Sequence, residues 1–368
     1  MTPLTELLNR QQFEHHDLVR LLEATTANDA QLIRRRACAV LEQECGTAVY
    51  YRGLIEFSNQ CCNDCHYCGI RAGNSAVQRY RLSLDEIAQG ARWCARQGYG
   101  SLVLQSGERR DEPFVSFVEQ AIARIKAETV GERLPRGLGI TLCVGEQSPR
   151  AYERFFDAGA HRYLLRIETT SPRLFARLHP APQTLARRIE CLQVLKRIGY
   201  QVGTGVMIGL PGQSTNDLAC DIAFFRDMDV DMIGMGPYIE HSQAVLAQTG
   251  EALLSPRERF ALALRMIAVC RIVLRNVNIA ATTALQALVD DGREQGLLHG
   301  ANVIMPQLTP TPVRPSYQLY EGKPCLDESA VQCRGCLKRR IESTGRVIAT
   351  DEWGDSPHAL GRTGSRQD

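Results

Sequence analysis

The sequence predicts an α/β fold: a (β/α)8 barrel of the TIM type with an N-terminal helical preface and a C-terminal extension. Three observations carry this expectation. From about residue 50 onward, short strand-like runs alternate with amphipathic helical stretches. The runs number eight. Residues able to do chemistry gather at the C-terminal ends of those runs, where barrels of this kind keep their active sites. A doubly wound sheet with two lobes is the alternative.

Residues 1–48 read as helices, because Leu4, Leu7 and Leu8, then Leu18, Leu21 and Leu22, recur at helical spacing. The barrel is expected over 49–310. Its strands are expected at 54–59, 101–106, 139–144, 162–168, 202–208, 231–238, 279–283 and 302–307. Helical patterns run near 113–129, 149–158, 184–198, 215–228, 256–275 and 286–298. Another opens at Ser83, with Glu86 three residues on as a capping box. Residues 311–340 are expected to close the barrel and to carry a second group of cysteines. The polar stretch 341–368 reads as a flexible tail.

Composition excludes several classes. The 44% hydrophobic and 23% charged content is that of a globular protein, and 368 residues can bury a sizeable core. A net charge of +2 gives no general pull toward nucleic acid or membrane. The first twenty residues carry no long apolar run, and no stretch reaches the roughly 18 apolar residues of a membrane helix. A cytoplasmic location is therefore expected, where the 14 cysteines are better placed for metal ligation than for disulfides.

Cys61, Cys65 and Cys68 form a C-x3-C-x2-C loop just after the first strand. Three thiolates can hold three irons of a four-iron cluster and leave the fourth iron open. Zinc is the rival, since Cys62-x2-Cys65 and Cys65-x2-Cys68 have zinc-like spacing and His66 is adjacent. Packing of inert thiols is the third reading. Tyr67, before the last ligand, can shield a cluster and stack on an adenine. The loop resembles the signature of the radical S-adenosylmethionine (SAM) enzymes.

The other strand ends follow. Gln105-Ser106-Gly107-Glu108 places small residues and a carboxylate where a ligand ammonium can be held. Thr141 and Cys143 alternate with apolar neighbours. Arg166 and Glu168 share a face two residues apart, where their charges need a polar ligand or each other. Arg188, on the next helix, can clamp a carboxylate. The glycines around Met207 permit close approach of a ligand to the backbone. Near the C-terminus Cys325, Cys333 and Cys336 are spaced C-x7-C-x2-C; a second cluster, a zinc with an outside ligand, or no metal all remain open.

Taken together, these segments resemble the HydE family of radical SAM maturases, which help assemble the active-site cluster of FeFe-hydrogenases. The likeness runs from about residue 50 to 337. It rests on Ile55-Glu56-Phe57-Ser58-Asn59, Leu104-Gln105-Ser106-Gly107-Glu108, Arg162-Tyr163-Leu164-Leu165-Arg166, Gly209-Leu210-Pro211-Gly212-Gln213, Ala281-Thr282-Thr283-Ala284, Ala301-Asn302-Val303-Ile304-Met305-Pro306 and Tyr317-Gln318-Leu319-Tyr320. The resemblance implies a radical SAM barrel with a long internal cavity. It implies a 4Fe-4S cluster on Cys61, Cys65 and Cys68, SAM among Tyr67, Ser106, Glu108, Glu168, Arg188, Met207, Ile239 and Leu319, and, as an optional feature of the family, a second iron–sulfur cluster on Cys325, Cys333 and Cys336. Thr141, Arg166, Thr282, Thr283, Met305 and Tyr320 would line the substrate cavity. The implied reaction is reductive cleavage of SAM to a 5′-deoxyadenosyl radical that attacks a cysteine-bound iron carbonyl/cyanide complex. Implied partners are other hydrogenase maturases and a reductant protein. Ile167 stands where the family leads one to expect histidine, and the segment around Glu132–Arg136 looks like an added piece. Methylornithine synthase-like or biotin synthase-like activity, and a non-catalytic cluster carrier, are the alternatives.

Overall fold

The computed structural model describes residues 3–364. Strands β1 (Ala48–Ser58), β2 (Ser101–Ser106), β3 (Gly139–Cys143), β4 (Arg162–Leu164), β5 (Gln201–Thr204), β6 (Met207–Ile208), β7 (Met232–Ile233), β8 (Gly236–Pro237), β9 (Asn278–Ile279), β10 (Val303–Ile304) and β11 (Val347–Ala349) are connected mainly through helices. The main sheet is parallel, in the order β10-β1-β2-β3-β4-β5-β7-β9. A parallel bridge between Ala280 and Val303 joins its two ends, supported by Asn302 N–H to Ile279 O at 2.9 Å and Ala281 N–H to Val303 O at 2.9 Å. The sheet thus curls back on itself as the expected parallel β/α barrel.

The helices obey the local signals. Ser83, Asp111, Ser148, Thr184, Ser214 and Ser255 each accept a backbone N–H of their helix's first turn. Such caps contribute about 1 kcal/mol each. Ile87, Phe114, Ile122, Phe155, Leu192, Leu195, Ile222 and Ile267 face the sheet fully buried. Each such side chain contributes about 1.5–3 kcal/mol of transfer free energy.

Two of the expected strands break in two, 202–208 into β5 and β6 and 231–238 into β7 and β8, with β6 and β8 paired apart from the main sheet, and three further expectations change. The expected strand over 162–168 stops at Leu164; beyond it Ile167 N–H turns to the Thr204 hydroxyl at 3.1 Å, and Glu168 takes a left-handed backbone with φ of 65°. The helical pattern at 286–298 is two helices, Thr283–Leu288 and Gly292–Leu297. Gly292 lies so close to Leu285 that a Cβ would stand 2.2 Å from its carbonyl oxygen, which leaves no room for a side chain at the break.

The third change is the expected flexible tail. Over residues 341–364 it is β11, paired with β1, followed by the helix Pro357–Gly364; residues 365–368 lie outside the described residues. Between them Trp353–Asp355 plugs the N-terminal end of the barrel. Arg162, fully buried, donates to Thr141 Oγ1 (3.0 Å), Trp353 O (3.0 Å) and Asp355 Oδ1 (2.5 Å). Arg52 and Asn278 both donate to Gly354 O, at 3.0 and 2.9 Å. The Trp353 ring is stacked by His161 and flanked by Lys126 and Arg136. A polar segment is ordered here because it satisfies charges that point down from the barrel's interior.

Candidate active site

The C-x3-C-x2-C loop leaves the C-terminal end of β1 and is held by its own backbone. Arg79 donates to the carbonyls of Asn59 (2.7 Å), Ile70 (2.8 Å) and Arg71 (2.6 Å). Arg71 pairs with Asp64 at 2.7 Å, and Asn74 donates to Gly69 O at 2.7 Å. Gly107 lets the end of β2 press against the loop; a Cβ there would meet Gln60 O at 2.4 Å. From above, the C-terminal segment comes down on it: Gly69 N–H donates to Leu319 O at 2.9 Å, and Asn59 donates to Ser316 O at 2.7 Å. A buried Lys323–Glu56 ion pair fastens that segment to β1.

Cys61, Cys65 and Cys68 are half-buried and Cys62 is exposed. Burial raises the Cys61 thiol. Burial, then the Cys61 charge, pushes Cys65 up to about 12. Cys68 is raised well above the ordinary thiol range by burial, then by Cys65 and Cys61. The three thiols therefore sit in a place that disfavours negative charge until a positive centre arrives. Among the described residues, the group compact enough to grip a single ion is Cys325, Glu328 and Cys333, whose ligand atoms lie within 4.8 Å of one another. The loop trio is spread more widely than that, which fits a polynuclear cluster better than one zinc ion.

Around the trio the structure brings the expected SAM residues together. The Tyr67 hydroxyl lies 3.4 Å from Glu168 Oε1. Tyr67 packs against an apolar cluster made of Leu178, Met207, Leu210, Tyr238 and Leu246. Met207 N–H donates to Glu168 O at 3.0 Å, so the strained Glu168 is tied to the start of β6. Buried Arg188 pairs with Glu146 at 2.7 Å and also donates to Arg166 O. Ser106 is buried and donates to Gly107 O at 2.8 Å. Ile239 and Leu319 are half-buried; Glu321 N–H to Glu240 O at 3.0 Å joins their two segments. Glu108 is already engaged, with Oε1 on Arg110 at 2.8 Å and Oε2 accepting Glu146 N–H at 2.9 Å. Its carboxylate braces β2 against the turn after β3.

The expected cavity residues fall in two levels. At the upper level Arg166 pairs with Glu168 at 2.8 Å and donates to Val206 O at 3.1 Å. The hydroxyls of Thr283 and Tyr320 lie 2.8 Å apart, and Thr282 donates to Met235 O at 3.2 Å. Lower down, Thr141 and Met305 line a narrow cavity of about 30 Å³ with Arg52, Val103, Met232 and Asn278. That is room for about one water.

Three participants escape the sequence reading. His179 places Nε2 3.5 Å from the Tyr67 hydroxyl, while its Nδ1 bonds Phe175 O at 3.2 Å. Burial, then Arg188, lowers it to about 3, so the imidazole is neutral. An imidazole therefore reaches this site from the loop after helix Pro172–Leu178, even though Ile167 replaces the expected histidine. Gln183, on the same loop, lies 3.6 Å from Cys65 Sγ. Tyr317, fully buried, accepts from Gln105 at 3.3 Å across the top of the barrel. A histidine and a glutamine in a helix-to-helix loop carry no local signal; only the fold brings them to the thiols.

In the second cysteine group, Cys325 has a left-handed backbone with φ of 64° and receives Arg293 at 3.5 Å. Its thiol is pulled below the ordinary value by Cys333 and Arg293, while Cys333 is pushed up. Cys336 lies one turn further along helix Ala330–Glu342 and outside the compact group.

The comparisons with known proteins agree with this geometry. The radical SAM superfamily model matches residues 55–224. The chain is 39% identical over 351 residues, 95% of its length and 96% of the relative's, to the [FeFe] hydrogenase maturase subunit HydE of Thermotoga maritima. It is 27% identical to 3-methylornithine synthase of Methanosarcina acetivorans, over 91% of this chain and 90% of that one. Crystal structures of methylornithine synthase (TM-score 0.77, 23% identity, 95% and 98% of the two chains) and of the maturase HydG from Carboxydothermus hydrogenoformans (TM-score 0.77, 19% identity, 94% and 78%) share the fold. No helix among the described residues is long and apolar enough to cross a membrane. Membership of the superfamily implies a 4Fe-4S cluster and SAM. With near full-length identity at this level, the chain is an enzyme of the HydE family of [FeFe] hydrogenase maturases, within the radical SAM superfamily.

Proposed function

We propose that Cys61, Cys65 and Cys68 hold the 4Fe-4S cluster and that the enzyme turns a SAM-derived radical on a small cysteine-bound iron complex carrying carbonyl and cyanide. The observation that carries this reading is the 39% identity to the Thermotoga HydE subunit across 95% of the chain. When bound, cluster and SAM together supply a 5′-deoxyadenosyl radical and methionine.

The chain's own residues bind, orient and exclude water. Tyr67 and its apolar neighbours form a dry wall against adenine. Glu168, paired with Arg166, is poised to accept ribose hydroxyls, and Arg188, which bonds Arg166 O, is placed to meet the SAM carboxylate. Ser106, Met207, Ile239 and Leu319 complete the enclosure, with Glu108 bracing it. Arg166, with Thr282, Thr283 and Tyr320, offers a guanidinium and hydroxyls to an anionic substrate. Thr141 and Met305 form the wall below. Cys325, Cys333 and Cys336 are proposed as an accessory iron–sulfur site. Another maturase would supply the complex and a reductant protein the electron.

The test is 5′-deoxyadenosine formation by anaerobically reconstituted, reduced protein, with and without a cysteine-bound iron dicarbonyl cyanide complex. Stimulation by the complex and its loss in Cys65→Ala are the expected results. Stimulation by lysine instead would favour the methylornithine synthase reading, which the 27% identity supports. Arg166→Ala should weaken use of the complex and spare SAM binding; equal loss of both would count against its role.

A further inference from the structure

Gln183 reaches the cysteine loop with its own hydrogen bonding incomplete. Its Oε1 lies 3.6 Å from Cys65 Sγ, and its Nε2 is buried with no hydrogen-bond partner. A buried amide N–H without a partner costs about 1–3 kcal/mol, so the site is incomplete as it stands. The chemistry of Cys65 says what completes it. As a neutral thiol Cys65 donates S–H to the amide oxygen. As an iron ligand it has lost that proton and can only accept. A carbonyl oxygen facing a thiolate repels it, whereas a half-turn of the amide about its terminal bond keeps the same shape and presents Nε2–H instead.

We propose that in the cluster-loaded protein Gln183 donates an Nε2–H hydrogen bond to the Cys65 thiolate and so raises the reduction potential of the cluster. This rests on the reading of Cys61, Cys65 and Cys68 as ligands of a four-iron cluster. Reduction adds one electron, drawn from the reductant protein, and its charge spreads onto the ligand sulfurs. A hydrogen bond to sulfur stabilises the more negative state more than the oxidised one. The loop is built to hold the side chain there. Gln183 N–H donates to Pro180 O at 3.1 Å, and the next residue, Thr184, caps helix Leu185–Ile198 by accepting Arg187 N–H at 3.2 Å. Gln183 acts through Cys65, as a positioning residue, and touches neither SAM nor substrate in this account.

The experiment is a potentiometric EPR titration of the full-length, iron-loaded protein, comparing wild type with Gln183→Leu and Gln183→Glu at equal iron content. Gln183→Leu should make reduction about tenfold less favourable, a fall of about 59 mV for one electron. Gln183→Glu, which sets a carboxylate against the sulfur, should fall further. Potentials equal to wild type in both variants would overturn the inference. Should Gln183→Leu fail to hold iron, wild-type protein labelled with 15N in its glutamine side chains decides. A 15N coupling at the reduced cluster in pulsed EPR is expected, and its absence overturns the hydrogen bond. A wild-type protein that binds no four-iron cluster would instead bring down the ligand reading, leaving the two failures distinguishable.

Discussion

The molecule carries two groups of cysteines that look alike on paper and differ in space. The loop trio after β1 is spread out and caged by backbone hydrogen bonds, and burial keeps its thiols protonated. The C-terminal group draws the ligand atoms of Cys325, Cys333 and Glu328 within 4.8 Å, with Cys333 and then Arg293 pulling the Cys325 thiol down. Both sequences contain C-x2-C. Spacing along the chain does not settle which sulfurs come together, since Cys333 groups with Cys325 across seven intervening residues and not with Cys336 across two; the surrounding backbone and cations decide how far apart the sulfurs stand and how readily they ionise.

The largest expected effect separates the two groups outright. Cys65→Ala should abolish 5′-deoxyadenosine formation, a loss of more than about 1,000-fold. Cys333→Ser should keep SAM cleavage within about threefold of wild type and change only iron content. Equal losses would mean that the groups act as one centre. The next test is the Lys323–Glu56 pair, which fastens the segment bearing the second group onto the strand that leads to the first. Lys323→Met leaves Glu56 buried and unpaired and should cost about 3–5 kcal/mol in chemical denaturation. Restoring most of that loss with Glu56→Gln in the same protein would identify the orphaned charge as the cause.

Thiol reactivity in iron-free protein sharpens the contrast. The folded Cys325 thiol lies below its ordinary value, so its thiolate, and hence its alkylation rate, should persist as pH falls toward neutrality. Cys65, up at about 12, should react only as the solution becomes strongly alkaline. Arg293→Met should move the Cys325 profile to higher pH and leave that of Cys65 in place; mass spectrometry of the labelled peptides reads both. The smallest effect belongs to Tyr67→Phe. It keeps the ring and deletes a hydroxyl held only by 3.4 and 3.5 Å contacts to Glu168 and His179. SAM affinity should weaken by about fivefold, near 1 kcal/mol. A much larger loss would show that the hydroxyl binds SAM directly.

Periodicity and capping made the barrel legible. Ser83 with Glu86 opens its helix as expected, and strand-like runs after residue 50 pair in chain order. The trio was legible because three cysteines lie within eight residues. Less legible were features that depend on distant partners. The Arg110–Glu108–Glu146–Arg188 chain joins the ends of three successive β/α units; Arg110 stands two residues from Glu108, but nothing local announces that Glu146 N–H takes the other carboxylate oxygen. The segment around Trp353 looked like a tail because its polar residues match charges on Arg52 and Arg162 some 200 to 300 residues upstream. His179 was hidden for the opposite reason: expectation was fixed on position 167, and the imidazole arrives from another loop.

That floor has a consequence for how the molecule comes into being. Gly354 bonds Arg52 and Asn278, and Ser316 and Leu319 bond the cluster loop, so both ends of the barrel are sealed by residues translated after every barrel strand. Until those segments dock, Arg52 and Arg162 lack their partners below and the cysteine loop is uncovered above, so both seals close last in the order of synthesis.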